Sequence, residues 1–121
     1  MTTFDLTATV LDCPDPRSLA RFWAELLGWT VARDGADWAT VRNPRGGAGL
    51  SFQSEGLYRR PTWPAAEGEQ QMQMHLDVEV DALEPAVDRA VALGATLEEH
   101  QPQDDVRVLR DPAGHLFCLW V

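Results

Sequence analysis

Between residues 15 and 28 the apolar side chains of Leu19, Phe22, Trp23, Leu26 and Leu27 recur at helical spacing and mark one face of a helix. Asp15 suits the N-cap of that helix, Pro16 its first turn and Gly28 its end. The pattern returns between Asp81 and Gly94. There Leu83, Ala86, Val87, Ala90 and Val91 make the stripe, Pro85 falls within the first turn or so, and Gly94 makes the stop. An extended segment precedes each helix, residues 6–11 in the first case and 74–80 in the second. In the latter, Leu76, Val78 and Val80 alternate with His75, Asp77 and Glu79, which gives a strand with one apolar and one polar face. The spacing predicts further strands after each helix: 30–33, 38–42 and 49–53, then 96–99, 106–110 and 116–120. Asn43-Pro44-Arg45-Gly46 and Asp111-Pro112-Ala113-Gly114 precede the last strand of each half with the same tight-turn chemistry.

Each half therefore reads as βαβββ, a weak internal repeat. A lone sheet with a single helix leaves one sheet face bare, so two copies are expected to bury apolar surface jointly. The 121 residues suffice for one domain of this kind, with a first module at about 4–53 and a second at about 72–121. Residues 54–71 form a strap between them. It carries Tyr58, Arg59, Arg60 and Trp63, too much aromatic content for a mere spacer. It is expected either to pack over a sheet or to form the rim of a ligand site.

Composition narrows the function classes. Hydrophobic residues at 45% and charged residues at 24% are ordinary for a globular chain. A net charge of -9 repels phosphate backbones and anionic membrane surfaces, so neither nucleic acid nor membrane is an expected partner. No apolar stretch approaches the roughly 18 residues of a membrane span. Cys13 and Cys118 form no CxxC pair and imply no disulfide framework. With no basic and apolar leader at the N-terminus, the expected compartment is the cytoplasm. Nucleophile-elbow, Walker, dinucleotide-glycine and HExxH motifs are absent.

The run from Val10 to Pro16, Phe22-Trp23 with Leu27-Gly28-Trp29, Pro61-Thr62-Trp63-Pro64, Met74 to Val78, Leu93-Gly94-Ala95 and Asp111 to Leu119 together resemble the glyoxalase/bleomycin-resistance/dioxygenase (vicinal oxygen chelate) superfamily, in its glyoxalase-like branch. The resemblance covers essentially the whole chain. It implies an α+β fold in which two paired βαβββ modules form an incomplete eight-stranded barrel around a ligand cavity. It also implies a homodimer. Enzymes of that superfamily hold a divalent metal with four His, Gln or Glu side chains, from the first and last strand of each module. Carried over, the first-strand positions fall on His75 and on Ala8, or on Thr9 if a bulge shifts the register. The last-strand positions fall on Cys118 and near Leu50, with Ser51 as neighbour. Two donors at most, His75 and Cys118, fall short of the three or four such centres use. Because these positions depart from the superfamily's pattern, no divalent metal and no other cofactor is expected.

Several side chains carry candidate chemistry. His75, on the polar face of its strand, reads as a hydrogen-bond partner or acid/base group for a ligand, or as a histidine bonded to its neighbours. Cys118 reads as a small buried hydrophobe or as a nucleophile or metal donor. Trp38, Trp63 and Trp120, with Phe52 and Tyr58, are candidate pocket walls. Gln53, Gln71, Gln73 and Asp77 are candidate polar fixtures, and Arg59 and Arg60 could meet an anionic group. Trp23 is expected in the core or at a dimer contact. His100 and His115 read as loop or turn residues. The leading expectation is a metal-free protein that binds or sequesters a partly aromatic organic molecule. The alternatives are an enzyme of lyase, isomerase or dioxygenase type that uses His75 as acid/base or metal ligand, and a structural or regulatory dimer without a small ligand.

Overall fold

A computed structural model describes residues 2–121. Its elements run β1 (Ala8–Cys13), α1 (Pro16–Leu27), β2 (Thr30–Asp34), β3 (Trp38–Arg42), β4 (Gly49–Ser54), β5 (Leu76–Glu79), α2 (Leu83–Leu93), β6 (Thr96–Leu97), β7 (Val106–Arg110) and β8 (Leu116–Trp120). The strands make two four-stranded sheets ordered β1-β4-β3-β2 and β5-β8-β7-β6, and no closed barrel. In each sheet the first strand pairs with the last in parallel and the other pairs are antiparallel. The two halves thus repeat one βαβββ topology. The chain divides into two compact units after Tyr58.

In the first unit, Asp15 caps α1 by accepting a hydrogen bond from the backbone N–H of Ser18 at 3.4 Å, Pro16 opens the helix, and Gly28 ends it in the left-handed region at φ 70°. Leu19, Phe22 and Trp23 are buried as α1 packs across β2, β3 and β4. Each such side chain contributes roughly 1.5–3 kcal/mol of apolar burial. Trp23 belongs to this core and meets Phe22 edge-on at 5.3 Å. Cys13, Val41, Leu50 and Phe52 supply the sheet side of the core.

The second unit is held less deeply. Helix α2 has no side-chain cap, and of its residues only Ala90 is fully buried. Val91 does not join the stripe: it is 46% exposed, while Leu83, Ala86, Val87 and Leu93 are half-buried. Leu109, Phe117 and Leu119 form the sheet side of this core.

Strand ends differ modestly from the sequence expectation. β1 begins at Ala8 rather than Leu6 and runs on to Cys13, because β4 starts opposite Ala8 and leaves Leu6 nothing to pair with. β5 is confined to four residues and leaves Met74 exposed, although the Val80 N–H still bonds the Trp120 carbonyl at 2.8 Å. β6 is two residues long.

The strap is divided between the units. Residues 54–58 stay with the first, where the N–H groups of Ser54 and Glu55 bond the carbonyls of Asp37 and Cys13. Residues 59–71 belong to the second. Arg110 fastens them: its guanidinium donates to the carbonyls of Pro61 at 2.8 Å and Gly114 at 2.9 Å and to the Glu98 carboxylate at 2.9 Å. The Trp63 indole donates to the His100 carbonyl at 3.1 Å, and Thr62 bridges Gln71. Pro61 and Trp63 are thereby tied to the rest of the second unit, while residues 64–70 are exposed. Among the described residues no helix is long and apolar enough to cross a membrane.

Candidate functional site

Strand alternation assigns each side chain to one of two faces. In the second unit, Leu76 and Val78 of β5 share the helix-packed face with Phe117 and Leu119 of β8. His75, Asp77 and Glu79 lie on the far face, where Asp77 is the register partner of Cys118 and Glu79 that of Trp120. His75 Nε2 lies 3.0 Å from Asp77 Oδ1, within ion-pair distance of that carboxylate. The donor atoms of His75, Asp77 and Cys118 all lie within 4.8 Å of one another. The Cys118 thiol is pushed above its ordinary pKa. Burial is the largest cause, followed by the negative charge of Asp77 and a hydrogen bond to that carboxylate. Asp77 thus stands between the imidazole of His75 and the thiol of Cys118 and accepts from the thiol. A thiol held protonated in this way is a poor nucleophile.

The first unit has a different far face. Gln53 donates to Asp12 at 2.6 Å, and Trp38 is the register partner of Gln53. Ala8 and Val10 occupy the β1 positions that match His75 and Asp77. The connection 43–48 between β3 and β4 has one residue more than the connection 111–115 between β7 and β8. Gly49 therefore corresponds to Leu116, and Ser51, not Leu50, corresponds to Cys118. Leu50 is turned to the helix-packed core. The same register settles the β1 position on Ala8 rather than Thr9.

The side chains singled out as ligand contacts therefore separate. His75, Asp77, Cys118 and Trp120 share one face of one sheet. Trp38 and Gln53 share the far face of the other with Asp12, whose part could not be read without the β1–β4 register. Phe52 is a correction: it is wholly buried on the helix-packed face, one position out of phase with Gln53, and belongs to the core. Tyr58 is half-buried where the first unit ends, Trp63 is tied to His100, and Gln73 is exposed ahead of β5. Gln71 turns its side-chain N–H into the strap, toward the Ala66 carbonyl.

The donor count changes as well. Sequence alone offers His75 and Cys118, and the structure adds Asp77 beside them. Three clustered donors reach the number that a zinc-type centre draws from the protein. These three nevertheless do not reproduce the superfamily's set. Ala8 and Ser51 stand where the first module would contribute, and a thiol replaces an oxygen donor.

The glyoxalase-like domain family matches residues 8–120. The chain belongs to that family. Solved structures similar to this glyoxalase-like chain agree in fold. One is a glyoxalase/bleomycin resistance protein/dioxygenase family enzyme from Burkholderia phytofirmans PsJN, 17% identical, covering 96% of this chain and 97% of that one at a TM-score of 0.72. Another is the bleomycin-binding protein of bleomycin-producing Streptomyces verticillus in complex with copper(II)-bleomycin, 18% identical, covering 100% and 98% at a TM-score of 0.58. A third is the oxidase ChaP-H2, 21% identical, covering 98% and 93% at a TM-score of 0.66. No curated protein matches this glyoxalase-like chain in sequence.

Proposed function

We propose that this glyoxalase-like protein binds a small, partly aromatic organic molecule through the far face of its second module. The observation that carries the reading is the convergence of His75, Asp77 and Cys118 beside Trp120 on one sheet face. A few fixed polar groups next to an aromatic wall are what small-molecule sites are built from. The binding does not use the four-donor metal centre of the superfamily's enzymes, because the first module lacks its share of donors. That a protein of the same fold holds copper(II)-bleomycin supports the class of ligand. The protein works in the cytoplasm, where Cys13 and Cys118 stay reduced, and as a homodimer. In the first unit, exposed Phe4, Leu6 and Leu57 supply apolar surface for such an interface.

A second reading is an enzyme in which His75 is the acid/base. It is favoured by the Asp77 contact, which sets a carboxylate beside the His75 ring.

Tryptophan emission, titrated with bleomycin and a series of aromatic metabolites, tests the proposal. A ligand is expected to change the emission saturably. Loss of the His75 hydrogen bond in His75→Ala is expected to weaken binding about ten-fold. A saturable response that is the same in wild type and His75→Ala would remove this face from the site. No response to any compound would favour the dimer without a ligand.

A further inference from the structure

We propose that His75, Asp77 and Cys118 form a cation site for a zinc-class ion, built entirely within the second module and different in kind from the superfamily's two-module centre. The geometry is the first support. His75 and Asp77 are two apart on β5 and so face the same side, and the β5–β8 register sets Cys118 directly beside Asp77. One nitrogen, one oxygen and one sulfur atom thereby lie within 4.8 Å of one another. Rotation of side chains alone can draw such atoms onto a common ion at the usual ~2.0–2.3 Å zinc distances.

The chemistry of the donors is the second support. Imidazole and thiolate favour borderline and soft cations, whereas Mg²⁺, Mn²⁺ and Ca²⁺ favour oxygen. A hard-metal centre of four His, Gln or Glu donors cannot be assembled here, since the matching positions of the first module are Ala8 and Ser51. The side chains of His75 and Asp77 are 36% and 60% exposed, so an ion can reach them from solvent. The acidic chain, at -9, also raises the local concentration of cations. On binding, one sulfur–metal bond forms as one S–H bond breaks, and the proton passes to solvent. His75 binds as neutral imidazole through its unprotonated ring nitrogen, so no proton is lost from the ring. Three protein donors leave a fourth position for water or for an oxygen of a bound molecule.

The test uses the full chain stripped of metal with chelator and titrated with Co²⁺ and Zn²⁺ alone. Co²⁺ is expected to give a sulfur-to-cobalt charge-transfer band that saturates at a single equivalent and is displaced by Zn²⁺ but not by Mg²⁺. Cys118→Ser is expected to abolish the band. His75→Ala and Asp77→Asn should each weaken Zn²⁺ binding by more than the ~10-fold lost with an outer-shell partner. In the unsubstituted protein, Zn²⁺ should protect Cys118 from alkylation, a readout that needs no variant to fold. Absence of the band, its persistence in Cys118→Ser, or equal competition by Mg²⁺ would overturn the site. No organic ligand takes part, so this proposal and the small-molecule reading fail separately.

Discussion

Asp77 is the residue on which two unlike groups converge, the imidazole of His75 and the thiol of Cys118. Burial, the carboxylate charge and the hydrogen bond all disfavour the Cys118 thiolate. Asp77→Asn removes the charge and leaves burial in place. The Cys118 pKa is therefore expected to fall toward its ordinary value, and in metal-free protein at mildly alkaline pH iodoacetamide should alkylate Cys118 several-fold faster. Wholly buried Cys13 gives an unreactive background. A rate equal to or below that of the unsubstituted protein would show that Asp77 does not hold the thiol proton. At this scale the sequence was half legible. Alternation along 74–80 was enough to set His75 and Asp77 on one polar face. It could not bring Cys118 to Asp77, since that meeting depends on parallel pairing across about forty residues of chain. Phe52 shows the converse error. It neighbours Gln53 in sequence, but the period of two sends it to the opposite face, into the core.

Among elements, α1 was the most legible, because its start and end are written locally in Asp15, Pro16 and Gly28. Strand ends were less so, since β1 stops where β4 offers no partner and not where its own residues change. The strap was legible as more than a spacer, but its anchor lies far away in sequence. Arg110 bonds Pro61, Gly114 and Glu98 from a side chain only 11% exposed. Removing one partner of a buried pair strands the other, so Arg110→Met is expected to cost about 3 kcal/mol in chemical denaturation. Arg110→Lys should recover little of this, because an ammonium cannot reproduce the planar fork of donors. A loss below about 1 kcal/mol, the range of an exposed pair, would mean that the strap is held by other contacts. Gly114 supports the same junction. It sits at φ 94° with the Arg60 side chain lying over it, a place where a side chain would be strained and crowded.

For the molecule as a whole, the repeat was the clearest message of the sequence, and both halves fold to one strand order. What the repeat could not convey is how far the halves have diverged in chemistry. One far face carries imidazole, carboxylate and thiol, and the other carries an amide paired with a carboxylate beside an indole. Assembly is a question at this scale too. Light scattering is expected to give twice the 13.5 kDa mass of one chain, and a single-chain mass at micromolar concentration would reject the proposed homodimer. The longer connection between β3 and β4 also matters to anyone who would engineer symmetry into the protein. A designer copying the cluster into the first module, and counting forward from the Asn43-Pro44 turn, would choose Leu50 for the thiol and sink it beneath α1. Counting along the paired strands gives Ala8→His, Val10→Asp and Ser51→Cys instead. One added residue in a surface turn makes the ladder, and not the motif, the ruler by which one half must be measured against the other.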